Sequence, residues 1–371
     1  SLSTSLGLLY KGGDTVALSF SASDTNGLSS FKLEYATDGI NYSAVTTLAS
    51  NATSYTWTVP SSNTTSAKIR LVAVDNATTA NTTIVYSDAF TVDSTAPTAP
   101  TLARTSSAFS TSSTVTMTVG SCTDTNSILI TETNVQPSAS ASGWQLCSTT
   151  AGAMTATVSG EGSHTLYAWA KDLAQNVATT ANSVSMTLDT TAPVIAVTTP
   201  SAMQGNVSTG SVSWTLTETN VAASTNFTVE VFNGTSWSSV GTKAATAGVN
   251  TSQAYTLSSF AVPNVDVTTA KIRVTLSDAA GNSTTSQTNT FTIDSTPPSI
   301  NSFSINNGST SSSVSTVQIA LSAQENITNI TDFCLKYSTG AGAPAAPTSS
   351  DACWVPVHSP SPGLSPSTSI S

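Results

Sequence analysis

The pentapeptide Asp-Ser-Thr-Ala-Pro at Asp93–Pro97 returns as Asp-Thr-Thr-Ala-Pro at Asp189–Pro193 and as Asp-Ser-Thr-Pro-Pro at Asp294–Pro298. The intervals are 96 and 105 residues. Each is the size of a domain, far beyond the roughly 20–45 residues of a solenoid unit. Before every marker runs an alternating segment that closes in Asp: AKIRLVAVD to Asp75, HTLYAWAKD to Asp172 and AKIRVTLSD to Asp278. These two signals divide the chain into repeats over 1–95, 96–191, 192–296 and 297–371.

The repeats alternate in kind. Phe31–Val45 aligns with Phe227–Val240, and Tyr55–Arg70 aligns with Ser258–Arg273. The second and fourth repeats instead share a longer mid-domain loop and hold all four cysteines. The order A-B-A-B points to duplication of a two-domain unit. The fourth repeat stops before any segment like HTLYAWAKD. Two readings follow: a slice of a longer protein, or a domain completed by a strand from a neighbouring chain.

Period-two alternation sets the secondary structure. Val212, Trp214 and Leu216 share one face, and Ile69, Leu71 and Ala73 point inward with Lys68 and Arg70 outward. Phe227, Val229 and Val231, or their alternates, do the same. Short strands separated by Asn, Gly and Asp turns predict an all-β sandwich in each repeat. Ser and Thr fill about a third of the chain. Thr fits a pleated surface, and both hydroxyls solvate an outer face without charge. One large aromatic recurs after each mid-domain hairpin: Tyr42, Trp144, Trp237 and Trp354. Each is expected to plug the sandwich core, the other reading being a carbohydrate-stacking platform.

Only 8% of residues are charged and the net charge is −10. With few basic residues to cluster, the charge argues against nucleic acid or an anionic membrane surface as partner. No apolar run reaches the roughly 18 residues of a membrane helix. The 38% hydrophobic content argues against disorder. Catalysis is not expected. The two histidines, His164 and His358, lie nearly two domains apart, and no hydrolase, zinc or nucleotide-binding motif appears. The Glu161–His164 neighbourhood reads as a solvated strand edge.

Cys122, Cys147, Cys334 and Cys353 allow three pairings. Only Cys122–Cys147 and Cys334–Cys353 stay within a repeat. Each closes a loop worth about 3 kcal/mol in the chain-entropy model. Paired cysteines point to an oxidising, extracytoplasmic location.

Tandem repeats of about a hundred residues, strands closing in Asp and D-x-T-x-P linkers together resemble the bacterial immunoglobulin-like domains of large surface proteins and adhesins. The A-type segment AKIRLVAVD is also similar to fibronectin type III patterning. The resemblance implies tandem immunoglobulin-like or fibronectin-III-like β-sandwiches in an elongated array. It further implies a non-catalytic extracellular stalk that binds other surface proteins, glycans or copies of itself. The alternatives are a self-assembling filament or sheath subunit, and a spacer or carbohydrate-binding region of a secreted hydrolase.

In such a sandwich the B–C and F–G loops share the end facing the preceding domain. Three acids should therefore converge at each junction. Asp93 would meet Asp124 and Asp172, Asp189 would meet Glu218 and Asp278, and Asp294 would meet Glu325. The first repeat carries Asp24 and Asp75 at the same places. Ca²⁺ takes six to eight oxygen ligands, so these acids are candidate interdomain calcium ligands. Asp and Asn at strand ends also make Asx-turns in any β protein.

Overall fold

The computed structural model describes residues 2–3, 8–204, 210–313, 317–327, 330–339, 342–356 and 367–370. Among them there is no α-helix, and a single 3-10 turn occupies Asn306–Gly308. The chain separates into two compact units, Ser1–Thr190 and Thr191–Ser371.

In the first unit, Leu2–Ser3, Thr15–Phe20 and Ser54–Thr58 form a three-stranded antiparallel sheet. The facing sheet runs in the order Leu9–Tyr10, Phe90–Val92, Thr64–Asp75, Leu28–Ala36 and Ser43–Ala49, with Thr82–Tyr86 also pairing Thr64–Asp75. Leu9–Tyr10 lies parallel to Phe90–Val92. The N-terminal strand thus begins in one sheet and ends in the other, which joins the two layers. Phe31, Leu33, Trp57, Ile69 and Phe90 fill the space between them.

The same plan recurs from Leu102. Leu102–Arg104, Thr114–Val119 and Met154–Thr157 form one sheet. Phe109–Ser110, Asn182–Leu188, Gly162–Lys171, Ser127–Thr131 and Gln145–Leu146 form the other. This core holds Met117, Ile128, Met154, Leu166 and Met186 and has no aromatic member. Trp169 is buried on the opposite face. The long loop that follows Thr131 reaches back to that strand, where Lys171 Nζ donates to the Ala139 carbonyl at 2.9 Å.

In the second unit, Val194–Val197, Gly210–Val221 and Gly248–Phe260 face a sheet built on Met203–Gln204, Phe291–Asp294, Val267–Ser277, Asn226–Phe232 and Trp237–Ala244. Its core contains Val212, Trp214, Leu216, Phe227, Val229, Val231, Tyr255 and Ile272. The inward parities read from KIRLVAV, SVSWTLT and FTVEVF all hold. The strands Thr64–Asp75, Gly162–Lys171 and Val267–Ser277 are the F strands of the first three repeats, and where the first and third of them change partner a buried hydroxyl closes the gap. Ser87 Oγ accepts from Ile69 N at 3.1 Å and Thr288 Oγ1 accepts from Ile272 N at 3.0 Å. Backbone donors left open between two strands would otherwise be unsatisfied.

Beyond Asp294, Ser299–Ile305 pairs with Val317–Gln324, which pairs with Ser367–Ile370. Asp332–Cys334 pairs with Trp354–Pro356. Phe303 is 49% exposed there and Ile319 is buried.

One expectation is corrected. Tyr42, Trp144, Trp237 and Trp354 are not core plugs. The aromatics at the centres are Trp57 and Trp214, both 1% exposed. Three of the recurring rings lie on the outer face under cations from the F strand. Arg70 sits 4.2 Å from the Tyr42 centroid, Lys171 4.8 Å from Trp144 and Arg273 4.3 Å from Trp237. Trp354 is 39% exposed. The physical cause is parity: Arg70 and Arg273 point outward, and the rings cross over to cover them. Glu34 and Glu230 complete these stacks, 2.5 Å from Arg70 Nε and 2.6 Å from Arg273 Nε.

Candidate functional site

The Asp that closes each F strand is held by an Asn of the following turn through three bonds. Asp75 N donates to the Asn81 carbonyl, Asn81 N to Asp75 Oδ1 at 2.9 Å, and Asn81 Nδ2 to Asp75 Oδ2 at 2.8 Å. Asp172 and Asn176 make the same three bonds, as do Asp278 and Asn282. A carboxylate that accepts backbone and amide donors in this way fixes the turn. The F–G and B–C loops are then tied together. Asn76 N donates to the Gly27 carbonyl at 3.0 Å, Asn126 N to Lys171 at 2.8 Å, and Ala279 N to Asn220 at 2.8 Å.

This clasp sets Asp172 within electrostatic reach of Asp93 and Asp124. Asn176 Nδ2 also donates to the backbone carbonyl of Asp93 at 2.9 Å. Asp172 is 2% exposed. Burial pushes its carboxyl pKa up, Asn176 pulls it down, and the charges of Asp93 and Asp124 raise it further. In the first repeat the same clasp lowers the pKa of Asp75, chiefly through the Asn81 amide. Asp75 also accepts from Ala77 N at 3.1 Å, whereas Asp172 lacks that bond, is more enclosed and faces two other carboxylates. Asp124 itself has φ 52°, a left-handed turn conformation that Asp tolerates.

A disulfide braces the loop that presents Asp124. Cys122 and Cys147 are bonded with Cα atoms 5.8 Å apart, and Cys147 N donates to the Asn126 carbonyl at 2.9 Å. Cys334 and Cys353 form the second disulfide.

The remaining acids divide between the units. Asp189 is buried at the end of the first unit, its backbone N donating to Ser110 at 2.9 Å. Glu218 and Asp278 are buried in the second unit, with carboxylate oxygens within 4.8 Å of each other. Asp294 and Glu325 line one cavity of about 900 Å³, together with Asp332 and Asp351.

A second device was not found from sequence. The residue after each linker Asp donates its backbone N to a side chain just ahead of the F strand. Ser94 N donates to Asn63 Oδ1 at 2.8 Å, Thr190 N to Glu161 Oε1 at 3.0 Å and Ser295 N to Asp266 Oδ1 at 2.7 Å. The Thr296 hydroxyl, the Ser295 amide and the Asn326 amide hold Asp266 at a pKa of about 2. The available signal was a polar residue four positions before A-K-I-R, Asn63 and Asp266.

His164 is also placed differently from its sequence neighbourhood. Its Nδ1 pairs with Glu132 and its Nε2 lies 2.9 Å from the Gly160 carbonyl. Glu161 instead accepts from Thr190. His358 lies outside the described residues.

No protein-family model matches the chain, and no curated protein is significantly similar to it. Among solved structures, a tetra-tandem repeat from the extending region of a large adhesion protein is 16% identical. It covers 97% of this chain and 94% of its own, with a TM-score of 0.32. Fibronectin(III)-like modules of Clostridium thermocellum CbhA are 15% identical over 51% of this chain and 93% of their own, at 0.28. The ICAM-5 D1–D4 ectodomain fragment is 16% identical over 80% and 76%, also at 0.28. At such scores these likenesses carry no weight. The strand order does. Three strands facing a five-strand order, with a parallel N-terminal edge, recur three times. The chain is an all-β protein of tandem immunoglobulin-like or fibronectin-III-like sandwiches.

Proposed function

We propose that this chain is a non-catalytic structural or adhesive stretch of an extracellular surface protein. In this reading, sandwiches with boundaries near residues 95, 191 and 296 space a binding region, and Ca²⁺ stiffens their junctions. The observation that carries it is the enclosure of Asp172 against Asp93 and Asp124, with Asn176 binding the linker carbonyl. A buried carboxylate that faces two others is repelled by them unless a proton or a cation is shared. The donor set suits a hard cation: carboxylate oxygens with no thiolate or imidazole among them. Asp93, Asp124 and Asp172 would hold the ion, and Asp294 with Glu325 would do so in the second unit. The two disulfides favour an oxidising compartment.

A thermal melt with Ca²⁺ and with excess chelator tests the reading. Ca²⁺ that binds only the folded chain raises the unfolding midpoint, and does so logarithmically as its concentration exceeds its Kd. Identical midpoints under both conditions would remove calcium from the proposal.

The outer-face rings do not favour the carbohydrate reading. In both A-type repeats an Arg guanidinium lies over the ring that a sugar would have to stack on.

A further inference from the structure

In the first three repeats the residue three places before the linker Asp is buried opposite one position of the F strand. Phe90 pairs with Ala67, Phe291 with Ala270 and Met186 with His164. The second repeat thus puts an imidazole, its side chain 11% exposed, where the A-type repeats have a buried alanine. The C strand departs at the same level. Tyr35 pairs with Ile69 and Val231 with Ile272, and both are buried. The corresponding place in the second repeat is Glu132, two residues past Ile130, which pairs with Ala168. Two repeats therefore close this end of the core with apolar side chains, and the second closes it with Glu132 paired to His164 Nδ1. The fold itself does not require a titratable pair there.

The other ring nitrogen reaches a turn. His164 Nε2 lies 2.9 Å from the carbonyl of Gly160. Gly160 and Gly162 have φ 87° and 116°, a region that glycine alone adopts freely. A Cβ at either position would meet nothing within 4 Å, so the turn is held by its bonds rather than by packing. Between them stands Glu161, which accepts from Thr190 N at 3.0 Å and from the Thr190 hydroxyl.

We infer that His164 is a proton-operated latch: its doubly protonated ring ties Glu132 to the Gly160–Gly162 turn, and the turn so fixed holds Thr190 through Glu161. An imidazolium donates from both nitrogens, a neutral ring from one. Loss of the proton leaves either the Glu132 carboxylate or the Gly160 carbonyl facing a lone pair, and the turn is released. Few other charges compete. The strands Asn182–Leu188, Ser127–Thr131, Thr114–Val119 and Met154–Thr157 carry no titratable side chain. Tyr167 and Lys171 take the opposite parity on the F strand itself. Glu161 is turned to Thr190, and the facing sheet brings Arg104 opposite Met117. The latch is closed in acid and opens as pH rises through the His164 midpoint. It does not rest on the calcium reading.

Hydrogen exchange of the Thr190 amide in the full chain, followed by NMR against pH in excess chelator, tests the latch. After correction for intrinsic exchange, Thr190 protection should fall by about threefold or more across the His164 titration, as the turn opens locally. The Leu129 amide, in the same sheet, should keep its protection. Glu132→Gln should move the Thr190 transition to lower pH together with the His164 midpoint. His164→Gln, which can still donate a hydrogen bond but cannot titrate, should abolish the transition. A Thr190 profile that is flat in the wild-type chain, that stays in place in Glu132→Gln or that persists in His164→Gln overturns the latch.

Discussion

Asn176 donates one side-chain proton to its own Asp172 and the other to the backbone carbonyl of Asp93, 83 residues earlier. One buried amide thus couples the shape of a turn to the position of a linker. Replacing it with Ala removes the donors to Asp172 Oδ2 and to the Asp93 carbonyl, while the backbone N–H at 176 still reaches Asp172 Oδ1. Asn176→Ala should destabilise this region by about 1–3 kcal/mol, the cost of unsatisfied buried acceptors. Calorimetry of the full chain should show one transition moved down and the others unmoved. An unmoved profile would contradict the coupling.

Asp124 offers the cleanest test of charge at that junction, because it is exposed and Asn tolerates its backbone conformation. Asp124→Asn should shrink the Ca²⁺-dependent rise in midpoint. In chelator it should leave the midpoint equal or slightly raised. The sign follows from Asp172, whose folded pKa lies above its unfolded value. Its contribution is full below the unfolded pKa and declines as pH rises through the folded one. Without Ca²⁺ this region should therefore lose stability as pH rises out of the acid range, and less steeply in the variant. A pH series of melts reads both effects.

His164 should act in the same direction near neutrality. Both ring nitrogens face acceptors, so the doubly protonated ring is favoured and its pKa is raised, first by the Gly160 carbonyl and then by Glu132. Its contribution is complete below the unfolded pKa and lost as pH rises through the folded value. NMR titration should place its midpoint above that of a free histidine. Glu132→Gln should bring it down, and an unchanged midpoint would exclude the pairing.

Trp214 and Trp237 should respond very differently to truncation. Trp214→Ala empties the centre of a core and should cost about 3–5 kcal/mol. Trp237→Ala removes a ring partly exposed beneath Arg273 and should cost about 1 kcal/mol. Equal losses in denaturant titrations would return Trp237 to the core.

Reduction offers a further check. Removing Cys122–Cys147 as a paired Ala variant should cost about 3 kcal/mol and loosen the Asp124 loop, lowering the Ca²⁺ response as well. A stability loss with an intact Ca²⁺ response would separate the disulfide from the junction.

The sequence by itself determined the strands, the facing of Ile69, Leu71, Val212 and Trp214, the repeat length and the local disulfide pairs. These depend on period two and on short-range closure, which neighbouring residues encode. Sequence also marked the acids, because each stands at a strand end in a chain with few charges. It could not show that Tyr42 and Trp237 lie outside, since parity within a hairpin depends on how the turn re-registers the second strand. Nor could it show that Asn63, Glu161 and Asp266 hold the linkers, or that Asn176 reaches Asp93. Those contacts join residues roughly 30 to 83 positions apart, and only the assembled sandwiches and the linker that follows each bring them within a hydrogen bond.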